Sequence, residues 1–328
     1  MAADPKSLRI VYMGTPEFAV APLRALHDAG YNVVAVVTGP DKPAGRGLKL
    51  KQTPVKEYAL KVGLPVLQPQ SLKTPEFARQ FADLKPDLGI VVAFRMLPET
   101  VFALPRYGTF NLHTSLLPQY RGAAPINRAI MNGERMTGVT TFLLNKGMDE
   151  GAIIDSRKIE ISDTDDAGSL HDKLMEIGAG LVVSSVGRVV SDGFKPMPQQ
   201  LTDGAELKPA PKIFRDTCRI DFDSDGRQLF NFIRGLSPYP GAWVEMVETN
   251  PSTAEELRRT TLKIFAARFE PCVVSDAPGT VIVDNASLKA VCRDGVVEVL
   301  QLQPSGKPRM EIREFLNGFK FRGVLKFE

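Results

Sequence analysis

Through the first ~190 residues, short runs of apolar residues alternate with stretches whose apolar positions recur at helical spacing. Residues 9–13, 33–38, 64–67, 88–93, 109–114, 139–144 and 152–161 read as strands. Between them, 18–29, 54–63, 75–84, 124–131 and 170–190 read as helices, several of them stopped at a glycine such as Gly30 or Gly63. The strand runs are apolar throughout rather than alternating, which marks strands covered on both faces. Separated by helices, they predict an α/β domain with a Rossmann-like, doubly wound, mostly parallel sheet. Then the pattern changes. Residues 193–211 hold Pro196, Pro198, Pro209 and Pro211 and little periodicity, and read as a linker. Beyond it come one helical stretch, 226–236, and short strands at 242–247, 262–269, 279–283, 288–292 and 296–302, a spacing that suits a small β-barrel or sandwich. The expected division is a first domain over 1–193, a linker over 194–212 and a smaller second domain over 213–328.

Composition narrows the class. With 43% hydrophobic and 24% charged residues in 328, the chain is ordinary globular protein, not disordered, collagen-like or coiled coil as a whole. The net charge of +3 does not announce a nucleic-acid binder, so any such partner must meet a local patch. Cys218, Cys272 and Cys292 are too few and too scattered for a disulfide framework or a zinc site, so a reducing compartment and no metal are expected. Residues 1–7 carry no apolar core of a signal peptide. The longest apolar stretches, such as 88–94, fall far short of the ~18 residues of a membrane span. A cytoplasmic protein with no membrane association is expected.

In an open α/β sheet, ligands bind beyond the carboxyl ends of the strands. The first such end, Gly14-Thr15-Pro16-Glu17-Phe18, lacks the further glycines of a dinucleotide fingerprint, which argues against a nicotinamide oxidoreductase. The end of the 109–114 strand is richer. Asn111 and His113 stand two apart and therefore point to one side. The other histidines, His27 and His171, fall on helical patterns, where a surface position is the default. A lone histidine is more often structural than catalytic. An amide and an imidazole at one strand terminus, followed by Ser115-Leu116-Leu117-Pro118, shift that balance. The pair suits acyl-type transfer: an amide or imidazolium stabilises the oxyanion formed at an attacked carbonyl, and histidine exchanges protons near neutrality. No Gly-x-Ser-x-Gly elbow is present, so no covalent intermediate is implied. Gly147-Met148-Asp149-Glu150-Gly151 reads by itself as a turn; functionally, Asp149 beside His113 would raise the imidazole pKa and help route a proton. Between positions 39 and 56, Lys42, Arg46, Lys49, Lys51 and Lys56 face only Asp41. A charge run is usually a solvated loop, but this one follows the second strand, on the catalytic edge of the sheet, where it could meet nucleic-acid phosphates.

These segments resemble, in order and at matching spacing, the 10-formyltetrahydrofolate-dependent formyltransferase family, in the branch that acts on methionyl-tRNA. The resemblance covers nearly the whole chain. Arg9-Ile10-Val11-Tyr12-Met13-Gly14-Thr15-Pro16-Glu17-Phe18 is similar to the family's opening strand and turn, and Asp41-Lys42-Pro43-Ala44-Gly45-Arg46-Gly47 to its basic loop. The stretch from Asn111 through Ser115-Leu116-Leu117-Pro118 and Arg121-Gly122-Ala123-Ala124-Pro125 resembles its core signature. Thr137-Gly138-Val139-Thr140 leading to Asp149 and Gly151 resembles the second half of that signature. The resemblance implies catalytic roles for Asn111, His113 and Asp149, tetrahydrofolate binding at Ser115, Leu116, Leu117 and Pro118, and tRNA contacts from Lys42, Arg46, Lys49 and Lys51. It implies 10-formyltetrahydrofolate as formyl donor, the α-amino group of methionyl initiator tRNA as acceptor, and a second domain of OB-like fold that binds tRNA. A monomer is expected.

Two departures from the family pattern stand out. Val91-Val92-Ala93-Phe94-Arg95-Met96-Leu97-Pro98 replaces the common Val-Val-Ala-Tyr-Gly at a strand end that should border the folate pocket. Asp149-Glu150-Gly151 replaces Asp-Thr-Gly, adding a carboxylate. Rival readings are a formyltransferase acting on a small amine, a hydrolase of 10-formyltetrahydrofolate, and a non-catalytic RNA binder on a dead enzyme scaffold. The basic loop and second domain argue against the first, the absence of a dehydrogenase domain against the second, and the intact trio against the third. Trp243, in Pro238-Tyr239-Pro240-Gly241-Ala242-Trp243, is expected to pack in the core rather than stack on a base.

Overall fold

A computed structural model of the chain describes residues 4–44, 49–201, 206–284 and 286–328. Two compact units are present. The first comprises Met1–Gly122, Met136–Ile159 and His171–Ala210; the second comprises Ala123–Arg135, Glu160–Leu170 and Pro211–Glu328. Two short segments from the middle of the chain thus join the C-terminal unit, a division no local composition shift marks.

In chain order the elements as far as the long helix are β1 (Ile10–Gly14), α1 (Val20–Asp28), β2 (Val33–Val37), β3 (Lys42–Ala44), β4 (Lys49–Lys51), α2 (Pro54–Lys61), β5 (Val66–Leu67), α3 (Pro75–Asp83), β6 (Leu88–Val92), α4 (Glu99–Phe102), β7 (Thr109–His113), α5 (Pro125–Met131), β8 (Met136–Leu143), β9 (Ile153–Glu160) and α6 (Ala167–Val189). The helix starts follow from capping. Thr53 and Thr74 stand at N-cap positions, accept hydrogen bonds from the amides of Lys56 and Phe77, and are each followed by a proline. The main sheet of the first unit has the order β5-β2-β1-β6-β7-β8-β9. Strands β1, β2, β5, β6 and β7 pair in parallel, and β7 pairs with β8 antiparallel. All five residues of β1 and of β6 are buried, as strands covered on both faces must be. One face packs Val11, Met13 and Val91 against Phe77, Phe81 and Val101. Because the chain runs outward from β1 through β2 to β5 and then returns to β6 beside β1, the strand order reverses between β1 and β6, and the carboxyl ends of β1 and β6 border that switch point, with β7 next to it.

The stretch 39–52, expected as a loop, contains the β3–β4 hairpin. Its strands, Lys42-Pro43-Ala44 and Lys49-Leu50-Lys51, are three residues each and hold little apolar pattern for a periodicity argument to register.

The second unit continues with α7 (Gly226–Gly235), β10 (Ala242–Thr249), β11 (Glu256–Pro271), β12 (Val281–Val283), β13 (Leu288–Cys292), β14 (Gly295–Pro304), β15 (Met310–Glu311), α8 (Ile312–Gly318) and β16 (Val324–Phe327). These strands form an antiparallel sheet of order β12-β13-β14-β11-β10-β16, which a bridge between Thr280 and Lys326 brings round into a nearly closed barrel. Strand β16 and helix α8 did not register as elements in the sequence, because their apolar positions are few and interrupted by charges. The barrel core includes Ile220, Leu229, Val244, Ile264, Val297 and Phe327. Within this unit Arg234 of α7 is 7% exposed and acts as a clamp. Its Nη1 donates to the carbonyls of Ser162 and Asp165 at 2.9 and 2.8 Å, and its Nε donates to Asn231 Oδ1 at 2.9 Å. Burial draws its pKa below the ordinary guanidinium value, but it remains charged at any physiological pH.

Replacing Arg234 by Ala leaves the Asp165 carbonyl and Asn231 Oδ1 without this donor, while the Ser162 carbonyl keeps only the Asp165 amide. We expect a loss of ~2–3 kcal/mol of stability in urea denaturation of the full chain. A loss below ~0.5 kcal/mol would show that the clamp is dispensable.

Candidate active site

Strand β7 delivers Asn111 and His113 to the same side of the sheet. Asn111 pairs in register with Val91 of β6 and Phe142 of β8, and His113 with Thr140. Asn111 is partly exposed, and among the described residues its carboxamide has no hydrogen-bond partner. His113 is 6% exposed, with the Phe142 ring edge-on at 6.5 Å between centroids.

The histidine tautomer follows from its partner. His113 Nε2 lies 2.8 Å from the Tyr120 carbonyl oxygen, which can only accept, so Nε2 bears the hydrogen. Nδ1 then presents its lone pair, 3.8 Å from Asp149 Oδ2. Burial penalises the imidazolium and lowers the His113 pKa below 6.5; the Asp149 carboxylate and the Tyr120 carbonyl oppose this without overcoming it. Asp149 does pull the imidazole pKa upward, as expected from the sequence, but desolvation outweighs that single carboxylate. A neutral imidazole with a free Nδ1 is a base at physiological pH.

The segment after β7 is a tight turn with most of its polar groups used internally. The Ser115 hydroxyl donates to the Gln119 carbonyl at 2.6 Å, and Thr140 Oγ1 donates to the Ser115 carbonyl at 2.7 Å. Ser115 and Leu117 are buried, whereas Leu116 and Pro118 are half-buried. The Ser115 side chain thus holds the turn in shape and has no nucleophilic setting. Tyr120 is left-handed (φ +59°), and its amide donates to the Lys208 carbonyl at 2.7 Å. Gly122 has φ +124°, and a Cβ there would lie 2.5 Å from the Ala210 carbonyl oxygen, so only glycine fits. Its amide donates to Asp149 Oδ2 at 2.9 Å, aiming the carboxylate. Asp149 is itself left-handed at φ +55°, a conformation that neighbours must impose on a non-glycine residue. At Gly151 a Cβ would meet the Leu143 carbonyl oxygen at 1.6 Å, which explains the glycine two residues after the aspartate.

One residue of the site carried no sequence signal. Gln199 lies in the proline-rich stretch, and its amide nitrogen donates to the carbonyls of Asp149 and Gly151 at 2.8 and 2.7 Å. Nearby, Met197 exchanges a pair of backbone hydrogen bonds with Ile153. Residues 194–201 and 206–210 are thereby held along the first unit. Isolated bridges of this kind have no periodicity to read.

Both departures from the family pattern have a local account. Ala93 ends β6 at φ +46°, and Arg95 turns back to donate to the carbonyls of Gln70 and Pro69 at 3.0 and 2.9 Å. Its guanidinium lies 5.4 Å from the Phe94 ring centroid, so the two residues brace the strand end. Glu150 is exposed and reaches Arg121 Nη1 at 3.4 Å, pointing its charge at a cation rather than at His113.

Of the basic stretch, Lys56 is committed to Asp41 at 2.6 Å. Lys42 and Lys51 are exposed and stand directly opposite each other in the hairpin register. Like charges in a cross-strand pair destabilise a hairpin, which makes the pair a poor structural choice and a good anion contact. Arg46 and the Lys49 side chain lie outside the described part of the chain. In the second unit a cavity of about 730 Å³ is lined by Lys212, Arg215 and Lys263 together with Asn127, Trp243 and Gln303. Trp243 packs partly on the barrel core and also walls this cavity, its indole N–H donating to the Arg215 carbonyl at 2.8 Å.

An amide free to donate, a neutral imidazole and a carboxylate at the carboxyl edge of a doubly wound sheet suit a group transfer between two bound substrates, without a covalent intermediate. Comparison with known proteins agrees. The formyl transferase family model matches residues 8–186, and the model of the formyl transferase C-terminal domain matches residues 212–320. The methionyl-tRNA formyltransferase of Bacteroides fragilis is 50% identical over 325 residues, covering 98% of both chains. That of Parabacteroides distasonis is 51% identical over 319 residues, 96% of this chain and 97% of its own. Among solved structures, HypX from Aquifex aeolicus in complex with tetrahydrofolic acid superposes with a TM-score of 0.61 at 18% identity, covering 98% of this chain and 51% of that one. An N-formyltransferase from Helicobacter canadensis, in complex with folinic acid and dTDP-3-aminofucose, gives 0.60 at 19%, covering 89% and 98%. At such identities these structures speak for the fold. The chain belongs to the formyl transferase family, among its methionyl-tRNA formyltransferases.

His113 should titrate below 6.5 when followed by NMR of its ring signals, because burial sets the direction. Asp149→Asn removes an opposing negative charge and should move the midpoint lower still. A midpoint above 6.5, or an upward move in the variant, would contradict this electrostatic account.

Proposed function

We propose that Asn111, His113 and Asp149 perform direct formyl transfer from 10-formyltetrahydrofolate to the α-amino group of methionyl initiator tRNA. That the enzyme formylates methionyl-tRNA for translation initiation, by folate-dependent chemistry, follows from its family. The residue roles are our reading, and one observation carries it: the forced Nε2–H tautomer of His113, which leaves Nδ1 as a free base beside Asp149 and the unpartnered Asn111 amide.

In this mechanism the neutral amine attacks the formyl carbon. An α-amino group with a pKa of ~7.7–8.0 is neutral in useful fraction at physiological pH. The tetrahedral oxyanion accepts hydrogen bonds from Asn111 and from His113 once protonated. His113 Nδ1 takes the proton that the attacking nitrogen sheds, with Asp149 stabilising the imidazolium directly or through a water. The bond between the formyl carbon and N10 then breaks, and N10 takes up the proton. Ser115, Leu116, Leu117 and Pro118 form the folate side of the site: the cross-bonded Ser115 fixes the turn while Leu116 and Pro118 offer apolar surface.

The first unit supplies the chemistry and the second holds tRNA. Lys42 and Lys51, with Arg46 and Lys49 between them, contact tRNA phosphates, and the Lys212, Arg215 and Lys263 cavity supports a further contact of the same kind. The proposed trio of Asn111, His113 and Asp149 lies within one chain and needs no residue from a second copy, and we take the enzyme to act as a monomer in the cytoplasm. Among the described residues no helix is long and apolar enough to cross a membrane.

The test is formylation of methionyl initiator tRNA with 10-formyltetrahydrofolate, followed by acid gel, against elongator methionyl-tRNA and small amines. We expect product with the initiator alone. Asn111→Ala should lower kcat by roughly 10²–10³, the usual size for one oxyanion donor; a loss under tenfold with the fold intact removes Asn111 from that role. Lys42→Ala with Lys51→Ala should raise KM for tRNA most at low salt and flatten its dependence on salt, with kcat nearly unchanged. An unchanged KM would assign the hairpin no phosphate contact.

A further inference from the structure

We infer that Gln199 is the positioning residue of the Asp149 turn: it holds the carboxylate in place from the far side of the site. The inference rests on the catalytic reading above. Asp149 and Gly151 present their carbonyls to the same side, and one primary amide bonds both, at 2.8 and 2.7 Å. The Gln199 carbonyl oxygen in turn accepts from Arg121 Nε and Nη2 at 3.1 and 2.8 Å. Both amide hydrogens and both lone pairs of the side chain are therefore used, its full capacity. Charge on Arg121 polarises the amide and strengthens the donation at its other end.

Geometry ties this network to the reacting group. Residue 121, which grips Gln199, is followed by Gly122, whose amide aims Asp149 Oδ2. Gln199 thus touches the turn through its backbone and, through Arg121, the segment that orients the carboxylate. Asp149 needs such support, because its left-handed backbone (φ +55°) is disfavoured for any residue with a Cβ. Without the two donations the turn is free to relax toward right-handed φ, which swings the carboxylate away from His113 Nδ1, now 3.8 Å distant. Glu150, between the two bonded carbonyls, reaches Arg121 Nη1 at 3.4 Å and joins the same clasp from outside. Gln199 meets neither Asn111 nor His113, so it acts on the reaction only through Asp149.

Gln199→Glu separates the two ends of the interaction. It keeps the shape and pairs with Arg121, but a carboxylate has no hydrogen to donate to the carbonyls of Asp149 and Gly151. We expect Gln199→Glu and Gln199→Ala each to lower kcat roughly ten- to a hundredfold, with KM for folate and tRNA changed less than about twofold, the size of effect a displaced catalytic group produces. In Gln199→Ala, which changes no charge, the His113 NMR titration should move in the same direction as in Asp149→Asn. In the Asp149→Asn background, Gln199→Ala should cost no more than about twofold further, because the group it positions is already gone. Full activity of Gln199→Glu would show that only the Arg121 pairing matters and overturn the inference. So would a multiplicative loss in the double variant, or an unmoved His113 titration in Gln199→Ala. If Asp149→Asn alone leaves kcat intact, the catalytic reading fails first, and the two failures are told apart.

Discussion

The hydrogen bond from His113 Nε2 to the Tyr120 carbonyl couples the backbone of a turn to the proton state of a base. To accept that bond, Tyr120 takes a left-handed backbone, and the turn that carries it is cross-bonded through Ser115, Gln119 and Thr140. Because a carbonyl cannot donate, the imidazole has no choice of tautomer, and the nitrogen left bare is the one that faces Asp149. Burial then keeps the ring neutral. A histidine at the same place without this bond would divide between two tautomers and present a base only part of the time.

Two chain segments converge on that arrangement with different tasks. The sheet supplies rigidity: β7 is flanked on both sides by hydrogen-bonded strands, which hold Asn111 and His113 in register. The turn at 149–151 supplies the charge, but a turn is not rigid by itself. Its conformation is imposed by Gly122, by the close approach of Gly151 to the Leu143 carbonyl, and by Gln199. This division has an electrostatic sense. The carboxylate must stay near the imidazole to stabilise its charged form transiently, without holding it charged at rest.

The second unit addresses a different problem. Its barrel core is conventional, but the cavity beside it brings Lys212, Arg215 and Lys263 together on a surface whose wall includes an indole. Whole-chain charge is close to balanced, so in the proposed function affinity for tRNA rests on such local concentrations, there and at the Lys42–Lys51 pair of the hairpin.

Local chemistry accounts for what could be read along the chain. Apolar runs mark buried strands such as β1 and β6, Thr-Pro pairs start α2 and α3, and the order Asn111, His113, Ser115-Leu116-Leu117-Pro118 and Asp149 marks the proposed site. Each of these is a property of residue types at short spacing. The β3–β4 hairpin, the closing strand β16, the recruitment of 123–135 and 160–170 into the C-terminal unit, and the Gln199 clasp have no such mark. The net His113 pKa belongs with them: the upward pull of Asp149 can be expected from the sequence, but the depth of burial that outweighs it is a property of everything packed around the ring. Periodicity and capping are written within a few neighbouring residues. Backbone carbonyls are the same at every position, so bonds made to them across fifty or more residues exist only once the chain is folded.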